Sequence, residues 1–374
     1  MNSSNVIPSA AYADTKSHYE ILDGLRGVAA LMVIAFHLFE AHVSKSQDQI
    51  INHGYMAVDF FYVLSGFVIG YAYDDRWGKM TLKGFFKRRL IRLQPMIVIG
   101  MIIGAIFFYL QDCGLWPGIS EVPVWKMLLI ALIGCTLLPV PLSLDIRGWQ
   151  EGWPLDGPAW SLFFEYIGNI LYALFIRKFS NRLLSALVFV SGLALLHLCI
   201  TKGDVIGGWT PLEASHLSIG FTRLMFPFFA GLLLSRICKP KNLKHSFLIC
   251  SLLIIICLSV PRIGGDQIWM NGLYVAFCII VLFPVIVYLG ASGSVTGKRA
   301  SRLCEFLGDI SYPVYITHYP LIYIYTAWAT DNQVKWQEGL PYMVLVMVAS
   351  IAMAYGCLKL YDMPVRKWLT NRFM

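Results

Sequence analysis

The chain has 374 residues, of which 57% are hydrophobic and 14% charged, and its mean hydropathy is +0.63. A soluble chain of this length would need more charged residues to cover its surface, so a soluble globular protein is excluded. Apolar runs of about 20 residues, long enough to cross a bilayer, recur along the sequence. The composition therefore predicts a polytopic membrane protein.

Two other classes of function are also disfavoured. The net charge of +8 could suit nucleic acid, but the basic residues cluster between apolar segments, as they do in cytoplasmic loops, so no nucleic-acid partner is expected. The nine cysteines show no CxxC spacing, and most of them lie inside apolar runs. We interpret them as packing residues, and we predict neither a disulfide framework nor a metal site.

The chain begins with a polar segment, 1–20, which we expect to be flexible. It lacks the pattern of a cleavable signal, so the apolar segment that follows should remain as the first helix. We place a membrane domain at 21–368 and a short cytoplasmic tail at 369–374. Eleven apolar segments follow one another: 23–43, 54–74, 94–111, 124–141, 158–176, 183–201, 217–236, 246–261, 270–290, 307–329 and 340–361.

The basic residues indicate which of these segments cross the membrane. They form five clusters: 76–92, 177–182, 236–244, 298–302 and 366–372. If segment 124–141 enters the bilayer without crossing it, every cluster and both termini fall on the cytoplasmic side. We therefore predict an all-α bundle of about ten transmembrane helices, with eleven as the alternative, and one re-entrant or interfacial segment.

Four ionisable residues lie in the first apolar segment: Asp23, Arg26, His37 and Glu40. Arg26 and His37 are eleven positions apart, close to three helical turns, so they share one face at a separation of roughly 16 Å. Ionisable groups inside a membrane are costly and usually mark a pathway or a site. His37 is the preferred catalytic candidate, because an imidazole titrates near neutral pH.

Three further segments carry polar stripes on one helical face. Asp59 lies in segment 54–74, Glu165 in segment 158–176 and His318 in segment 307–329. Four such stripes predict a polar cavity within the bundle. An alternative interpretation is that these groups are structural ion pairs, such as Asp59–Arg26 or Glu165–His318, that hold helices together.

The run 87-KRRLIRLQP-95 has two interpretations. A basic run next to an apolar segment is most often a topology anchor. Arginine also offers a forked set of donors that matches phosphate, so Arg88, Arg89 and Arg92 could form a phosphate site. Taken alone, the run 87–95 is better interpreted as a topology anchor than as a phosphate site.

Six motifs in order resemble those of the acyltransferase-3 family, the integral-membrane O-acyltransferases of bacterial surface glycans. They are LDGLRG followed by His37, AVDFFYVLSGF, RRLIRLQP, PAWSLFFE, SYPVYITH and the closing YDMPVRKW. The last motif has Asp362 where the family usually has glutamate, which keeps the carboxylate. The chain resembles the stand-alone form, without an esterase-like domain.

The resemblance implies transfer of an acyl group, commonly acetyl, from cytoplasmic acyl-CoA to a sugar hydroxyl in the bacterial inner membrane. Acyl-CoA would be a co-substrate, with no tightly bound cofactor, and the acceptor a glycan or lipid-linked saccharide. The sequence does not determine the oligomeric state, and a homo-oligomer is compatible with it.

The resemblance also assigns roles to residues. Arg88, Arg89 and Arg92 would hold the CoA phosphates, with Arg26 further along the donor. His37 would be a general base or a transient acyl acceptor, oriented by Glu165 or Asp59, and His318 would assist. A secondary transporter or flippase for a glycan, or a proton-coupled channel, is the alternative class.

Overall fold

The computed structural model describes residues 19–43, 48–239, 241, 243–295 and 297–374. Most of the predicted flexible segment 1–20 therefore lies outside the described residues. Within the described ranges the regular elements are helices, with no β-strand. The α-helices are α1 (Glu20–Glu40), α2 (Ala57–Tyr73), α3 (Leu82–Phe107), α4 (Val124–Cys135), α5 (Ala159–Leu174), α6 (Asn181–Lys202), α7 (Ala214–Ile237), α8 (Ser246–Ser259), α9 (Ile268–Phe277), α10 (Phe283–Ala291), α11 (Lys298–Thr317), α12 (Tyr319–Asp331), α13 (Trp336–Cys357) and α14 (Met363–Phe373).

The protein is a multi-pass membrane protein. Seven helical stretches in the described ranges are long and apolar enough to cross a bilayer, and α4 and α8 are shorter apolar helices. Each predicted apolar segment contains a helix, but the predicted number of about ten crossings is not confirmed. Helix α14 continues α13 through a π-helical turn at Leu358–Asp362, so the tail predicted from 369 begins inside a helix.

Contacts between the connections that join the helices define two ends of the bundle. At one end, Arg236 at the end of α7 pairs with Asp74 after α2 at 2.6 Å and donates to the carbonyl oxygen of Phe179 after α5. At the other end, His53 before α2 lies 2.7 Å from the carbonyl oxygen of Val260 after α8. We call the first end the basic end and the second the far end.

Helix α4 enters the bundle from the far end and does not cross it. Its 12 residues span about 18 Å, less than the ~30 Å of a hydrocarbon core. Gln94, midway along α3, donates to the carbonyl oxygen of Cys135 at the inner end of α4. The chain then returns, because Lys126 near the start of α4 donates to the carbonyl oxygen of Asp145 at 2.9 Å. This is the course of a re-entrant segment.

Close helix packing depends on glycine at two places. Helix α2 packs against α7, where a Cβ on Gly66 would overlap the carbonyl oxygen of Phe228 and a Cβ on Gly231 would overlap that of Val63. Helix α1 packs similarly against α11, with Gly27 against Leu307. Small residues let membrane helices approach until their backbones touch. The helices that carry the polar stripes are therefore held in fixed register.

The predicted segment 307–329 is broken into α11 and α12 at His318. Pro320 follows in the first turn of α12, where its missing N–H would be unpaired in any case. His318 is fully buried at this break.

Candidate active site

The four polar stripes enclose a cavity of about 750 Å³ between α1, α2, α3, α5 and α11. It is open at the basic end, where Glu20 and Asp309 are exposed. Its inner end is formed by Tyr62, Ser161 and Tyr315, with the Tyr315 hydroxyl 2.7 Å from Ser161 Oγ. A polar cavity within the bundle, as the stripes predict, is therefore present.

Four guanidinium groups line this cavity: Arg26, Arg89, Arg92 and Arg366. Three have carboxylate partners, with Arg26 bonded to Asp23 at 2.9 Å, Arg89 to Glu165 at 3.0 Å and Arg366 to Asp362 at 2.9 Å. Arg92 is exposed to the cavity and has no hydrogen-bond or ion-pair partner among the described residues.

Arg88 does not belong to this group, although the sequence predicted it beside Arg89 and Arg92. It is absent from the described lining of the cavity. Helical spacing does not decide this, because Arg88 lies one turn from Arg92 and about 40° from it around the helix axis. The distinction rests on the residues that line the cavity. The lining thus contains three of the predicted arginines, Arg26, Arg89 and Arg92, together with Arg366 of α14, which the sequence did not single out.

Glu165 is hydrogen-bonded to Arg89 and Ser65 and not to a histidine. Its Oε1 accepts hydrogen bonds from Arg89 Nη2 at 3.0 Å and Ser65 Oγ at 2.7 Å. These bonds join α5 to α3 and α2 and hold the Arg89 guanidinium at the cavity wall. The predicted Glu165–His318 pair is not formed.

Asp59 forms a buried pair with Arg223 of α7. Arg223 donates from Nη2 to Oδ2 at 2.7 Å and from Nε to Oδ1 at 3.2 Å, and both side chains are almost fully buried. Arg223 also donates to the carbonyl oxygen of Tyr55 at 2.8 Å. The predicted Asp59–Arg26 pair is wrong, and Asp59 acts as a tie between α2 and α7. An arginine inside an apolar segment requires a carboxylate partner. The position of Arg223 within segment 217–236 is therefore the sequence signal that could have identified it as part of a buried ion pair.

His37 and His318 face each other beyond the inner end of the cavity. Their ring centroids are 5.9 Å apart, with the rings tilted by 31°. No histidine is among the described residues that line the cavity. The ring of Tyr315, which closes the cavity, lies 6.2 Å from that of His318. The arginine-lined cavity and the histidine pair are therefore adjacent compartments that share Tyr315 as a wall.

Hydrogen bonds define the tautomer of each imidazole. His318 Nδ1 lies 3.0 Å from the carbonyl oxygens of Val314 and Tyr315, which can only accept, so Nδ1 carries the proton. His318 Nε2 is buried and has no partner among the described residues. His37 Nδ1 lies 2.7 Å from Glu40 Oε2, which favours the same tautomer. Each ring therefore presents an Nε2 lone pair that can accept a proton.

The residue that orients His37 is Glu40, not Glu165 or Asp59 as predicted. Glu40 lies one turn away on the same stripe, so helical spacing alone could have identified it. Tyr319, which the sequence did not single out, packs edge-on against His37 with ring centroids 4.8 Å apart. It reaches this position because the chain turns at His318 into a new helix.

Comparisons with known proteins place the chain among acyltransferases. The acyltransferase domain that defines the acyltransferase-3 family matches residues 19–359. The O-acetyltransferase OatA of Staphylococcus aureus is 24% identical over 367 residues, which cover 92% of this chain but 57% of OatA. The acyltransferase MdmB of Streptomyces mycarofaciens is 26% identical over 325 residues, covering 80% of this chain and 78% of MdmB.

A third relative, protein 2 in the picA locus of Rhizobium radiobacter, is 35% identical over 160 residues, covering 41% of this chain and 80% of that protein. No solved structure matches. Because the family match spans nearly the whole membrane bundle, the chain belongs to the acyltransferase-3 family and is a membrane acyltransferase.

Proposed function

We propose that the protein transfers an acyl group, acetyl in the first instance, from acyl-CoA to a hydroxyl of a glycan or lipid-linked saccharide. The observation that carries this proposal is the arginine-lined cavity that ends beside two imidazoles with free Nε2 lone pairs. An O-acetyltransferase and an acyltransferase among the relatives support the reaction class.

The cavity is suited to the donor. CoA carries several phosphates, and guanidinium groups bind phosphate through paired, charge-assisted hydrogen bonds. Arg92 has its donors free in the described structure, and Arg26, Arg89 and Arg366 could share theirs with a second anion. Phosphates held there would leave the pantetheine arm to extend inward toward Tyr315 and the histidine pair.

The basic end faces the cytoplasm in this proposal, because basic connections are retained on that side of a bacterial inner membrane. Both termini would then be cytoplasmic. Acyl-CoA would enter from the cytoplasm, and it would act as a co-substrate that leaves as CoA after each turnover.

The histidine pair supplies the base. In a direct route, one Nε2 accepts the proton of the acceptor hydroxyl while its oxygen attacks the thioester carbonyl. The C–S bond then breaks, and the departing thiolate takes the proton from the imidazolium. In a two-step route, His37 Nε2 attacks the thioester carbonyl, the C–S bond breaks and CoA leaves as the thiolate. The acceptor oxygen then attacks the acyl group as His318 Nε2 takes the hydroxyl proton, the bond to His37 breaks, and the proton passes to the thiolate. The two-step route requires His37, the direct route requires one imidazole of the pair, and both require a connection past Tyr315.

Label transfer in inverted membrane vesicles tests the proposal. Vesicles that contain the wild type, His37→Ala or His197→Ala receive radiolabelled acetyl-CoA, and saccharides are then extracted. His197 is an exposed histidine on α6 and serves as the matched control. We expect label in saccharide with the wild type and His197→Ala only. Equal labelling with His37→Ala would remove His37 from the chemistry, and labelled lipid or protein in place of saccharide would overturn the acceptor class.

A further inference from the structure

One carboxylate in the structure has no visible task. Asp156 is 0% exposed, and neither of its oxygens has a hydrogen-bond partner among the described residues. Asp362 also has one unpartnered oxygen, but its other oxygen accepts from Arg366. A buried polar group without a partner costs free energy, so such a group calls for an explanation such as a ligand that completes it.

Asp156 lies on the chain segment that enters the bundle from the far end. The adjacent Gly157 contacts the ring of Tyr319, since a Cβ there would lie 2.8 Å from Tyr319 Cε1. Tyr319 also packs against His37. Gly100 lets α3 approach the Asp156 side chain closely, because a Cβ there would lie 3.2 Å from Asp156 Oδ2. The segment therefore reaches the same aromatic ring as the candidate base.

The donor cannot account for Asp156. The carboxylate is not among the described residues that line the arginine cavity. We therefore expect the partner of Asp156 to be the acyl acceptor, or a neutral part of it that is rich in hydrogen-bond donors.

Unpartnered donors lie along the same segment and its neighbours. Four buried N–H groups have no acceptor among the described residues: Trp153 Nε1, Gln111 Nε2, Arg147 Nη1 and Trp116 Nε1. Arg147 connects three of them, because it donates to Gln111 Oε1 at 2.7 Å and its guanidinium lies 5.0 Å from the ring of Trp116. Trp116 in turn contacts Trp149, which is 47% exposed.

These groups form a continuous path of side-chain contacts from the exposed ring of Trp149 to the histidine pair. The Arg147 guanidinium lies 3.6 Å from the ring centroid of Tyr323, and Tyr323 packs against Tyr319 at 4.5 Å. The path combines free N–H donors, free carboxylate acceptors and aromatic rings. A saccharide matches this combination, since its hydroxyls both donate and accept and its C–H faces pack on rings. An alkyl chain would leave the polar atoms unpaired.

We propose that Asp156 binds hydroxyl groups of a saccharide acceptor, which enters from the far end along Trp149, Arg147 and Tyr323 and presents one hydroxyl to the histidine pair beside Tyr319. This inference rests on the proposed acyl transfer and deepens it by assigning the acceptor subsite. Asp156 accepts hydrogen bonds from hydroxyls next to the reacting one and is a positioning residue. The donor and acceptor then approach the bases from opposite ends of the bundle.

The test uses the full-length protein in inverted vesicles and in detergent, as wild type, Asp156→Asn and Glu121→Gln. Asparagine keeps the shape of the buried side chain, and Glu121 is an exposed carboxylate near the far end that serves as the control. We expect Asp156→Asn to lower label transfer to vesicle saccharide at least ~10-fold while the KM for acetyl-CoA is unchanged. Glu121→Gln should match the wild type. Unchanged binding of CoA in detergent would show that Asp156→Asn is folded.

A second measurement identifies the ligand class. Methyl pyranosides of glucose, galactose and mannose are added to the wild type as competing acceptors. We expect at least one to accept label or inhibit transfer, and to do so less well with Asp156→Asn. If no pyranoside acts on the active wild type, or if Asp156→Asn changes only the KM for acetyl-CoA, the acceptor subsite is overturned while acyl transfer stands. Absence of any label with the wild type would count against the proposed function itself.

Discussion

The imidazole of His318 faces that of His37 across 5.9 Å between ring centroids, and each ring keeps its Nδ1 engaged by an oxygen of its own helix. The two rings come from α1 and from the break between α11 and α12, so the pair exists only after these helices pack. The hydrogen bonds at Nδ1 leave the Nε2 atom of each ring available to accept a proton. One base can thus act on the acceptor hydroxyl while the other stays neutral, which avoids two like charges in a buried site.

His318→Gln should slow acyl transfer strongly. Glutamine removes the Nε2 lone pair but keeps a polar side chain at the helix break. General acid–base catalysis contributes roughly 10²–10⁴-fold, so we expect at least a ~100-fold fall in kcat with little change in the KM for acetyl-CoA.

His42→Gln is the matched control for this prediction. His42 is bonded to the Tyr325 hydroxyl and to the carbonyl oxygen of Val334, away from the histidine pair. Its replacement should affect stability more than kcat. A wild-type kcat for His318→Gln would mean that His37 is the sole base.

Arg92 and Arg88 provide a matched pair for the donor site, because they have the same charge and lie one turn apart on α3. Arg92 faces the cavity without a partner among the described residues, whereas Arg88 is not in the described lining. Arg92→Ala should raise the KM for acetyl-CoA about 10-fold, in line with the ~1.5–3 kcal/mol of a charged hydrogen bond. Arg88→Ala should change it less than ~2-fold. Steady-state kinetics with acetyl-CoA measure both. An unchanged KM in both variants would assign the run to topology alone, and equal increases would place Arg88 in the donor site.

The sequence predicts the helical bundle and much of the site because both depend on local spacing. His37, Arg26 and Glu40 share a face through the helical period. The structure turns Arg26 into the cavity and His37 toward His318, while Glu40 stays exposed. The partners of these groups depend on contacts between distant helices. Arg223 meets Asp59 across 164 positions of the chain, and no local pattern can choose it over Arg26.

Two other features also lay beyond sequence reasoning. The break at His318 places Tyr319 beside His37, although a continuous helix was expected over 307–329. Asp156 lies in a connection between helices, where an aspartate normally indicates a turn. Its burial without a partner becomes visible only when the surrounding helices α3, α5 and α11 are in place.

The Asp59–Arg223 pair should stabilise the bundle without taking part in chemistry. Removing one member of a buried pair leaves an uncompensated charge and costs about 3–5 kcal/mol. Arg223→Met should therefore lower the unfolding temperature markedly, whereas the double variant with Asp59→Asn should recover part of the loss. Thermal unfolding in detergent measures all three variants. If Asp59→Asn unfolds like the wild type yet abolishes transfer, the residue belongs to the active site and the structural assignment is wrong.

Glu151 should make stability depend on pH. It lies in the connection between α4 and α5, outside the helices, and accepts a hydrogen bond from the Tyr323 hydroxyl at 2.9 Å. Burial raises the pKa of the Glu151 carboxyl above its usual 4.5, and Arg147 opposes this shift only in part. The folded protein therefore holds this proton more tightly than the unfolded chain does. The resulting stabilisation is fully present below about pH 4.5 and is lost as the pH rises through the raised pKa.

Glu151→Gln removes this titration but keeps an oxygen that can accept from Tyr323. The difference in unfolding temperature between Glu151→Gln and the wild type should therefore shift in favour of the variant as the pH rises from about 4.5 to about 7.5. Other carboxyl groups titrate in both proteins and cancel in the difference. Glu121→Gln, which removes an exposed carboxylate, should show no such shift. A shift of the opposite sign would mean that the Arg147 guanidinium, whose Nε lies 3.8 Å from Glu151 Oε2, stabilises the ionised carboxylate more than burial destabilises it.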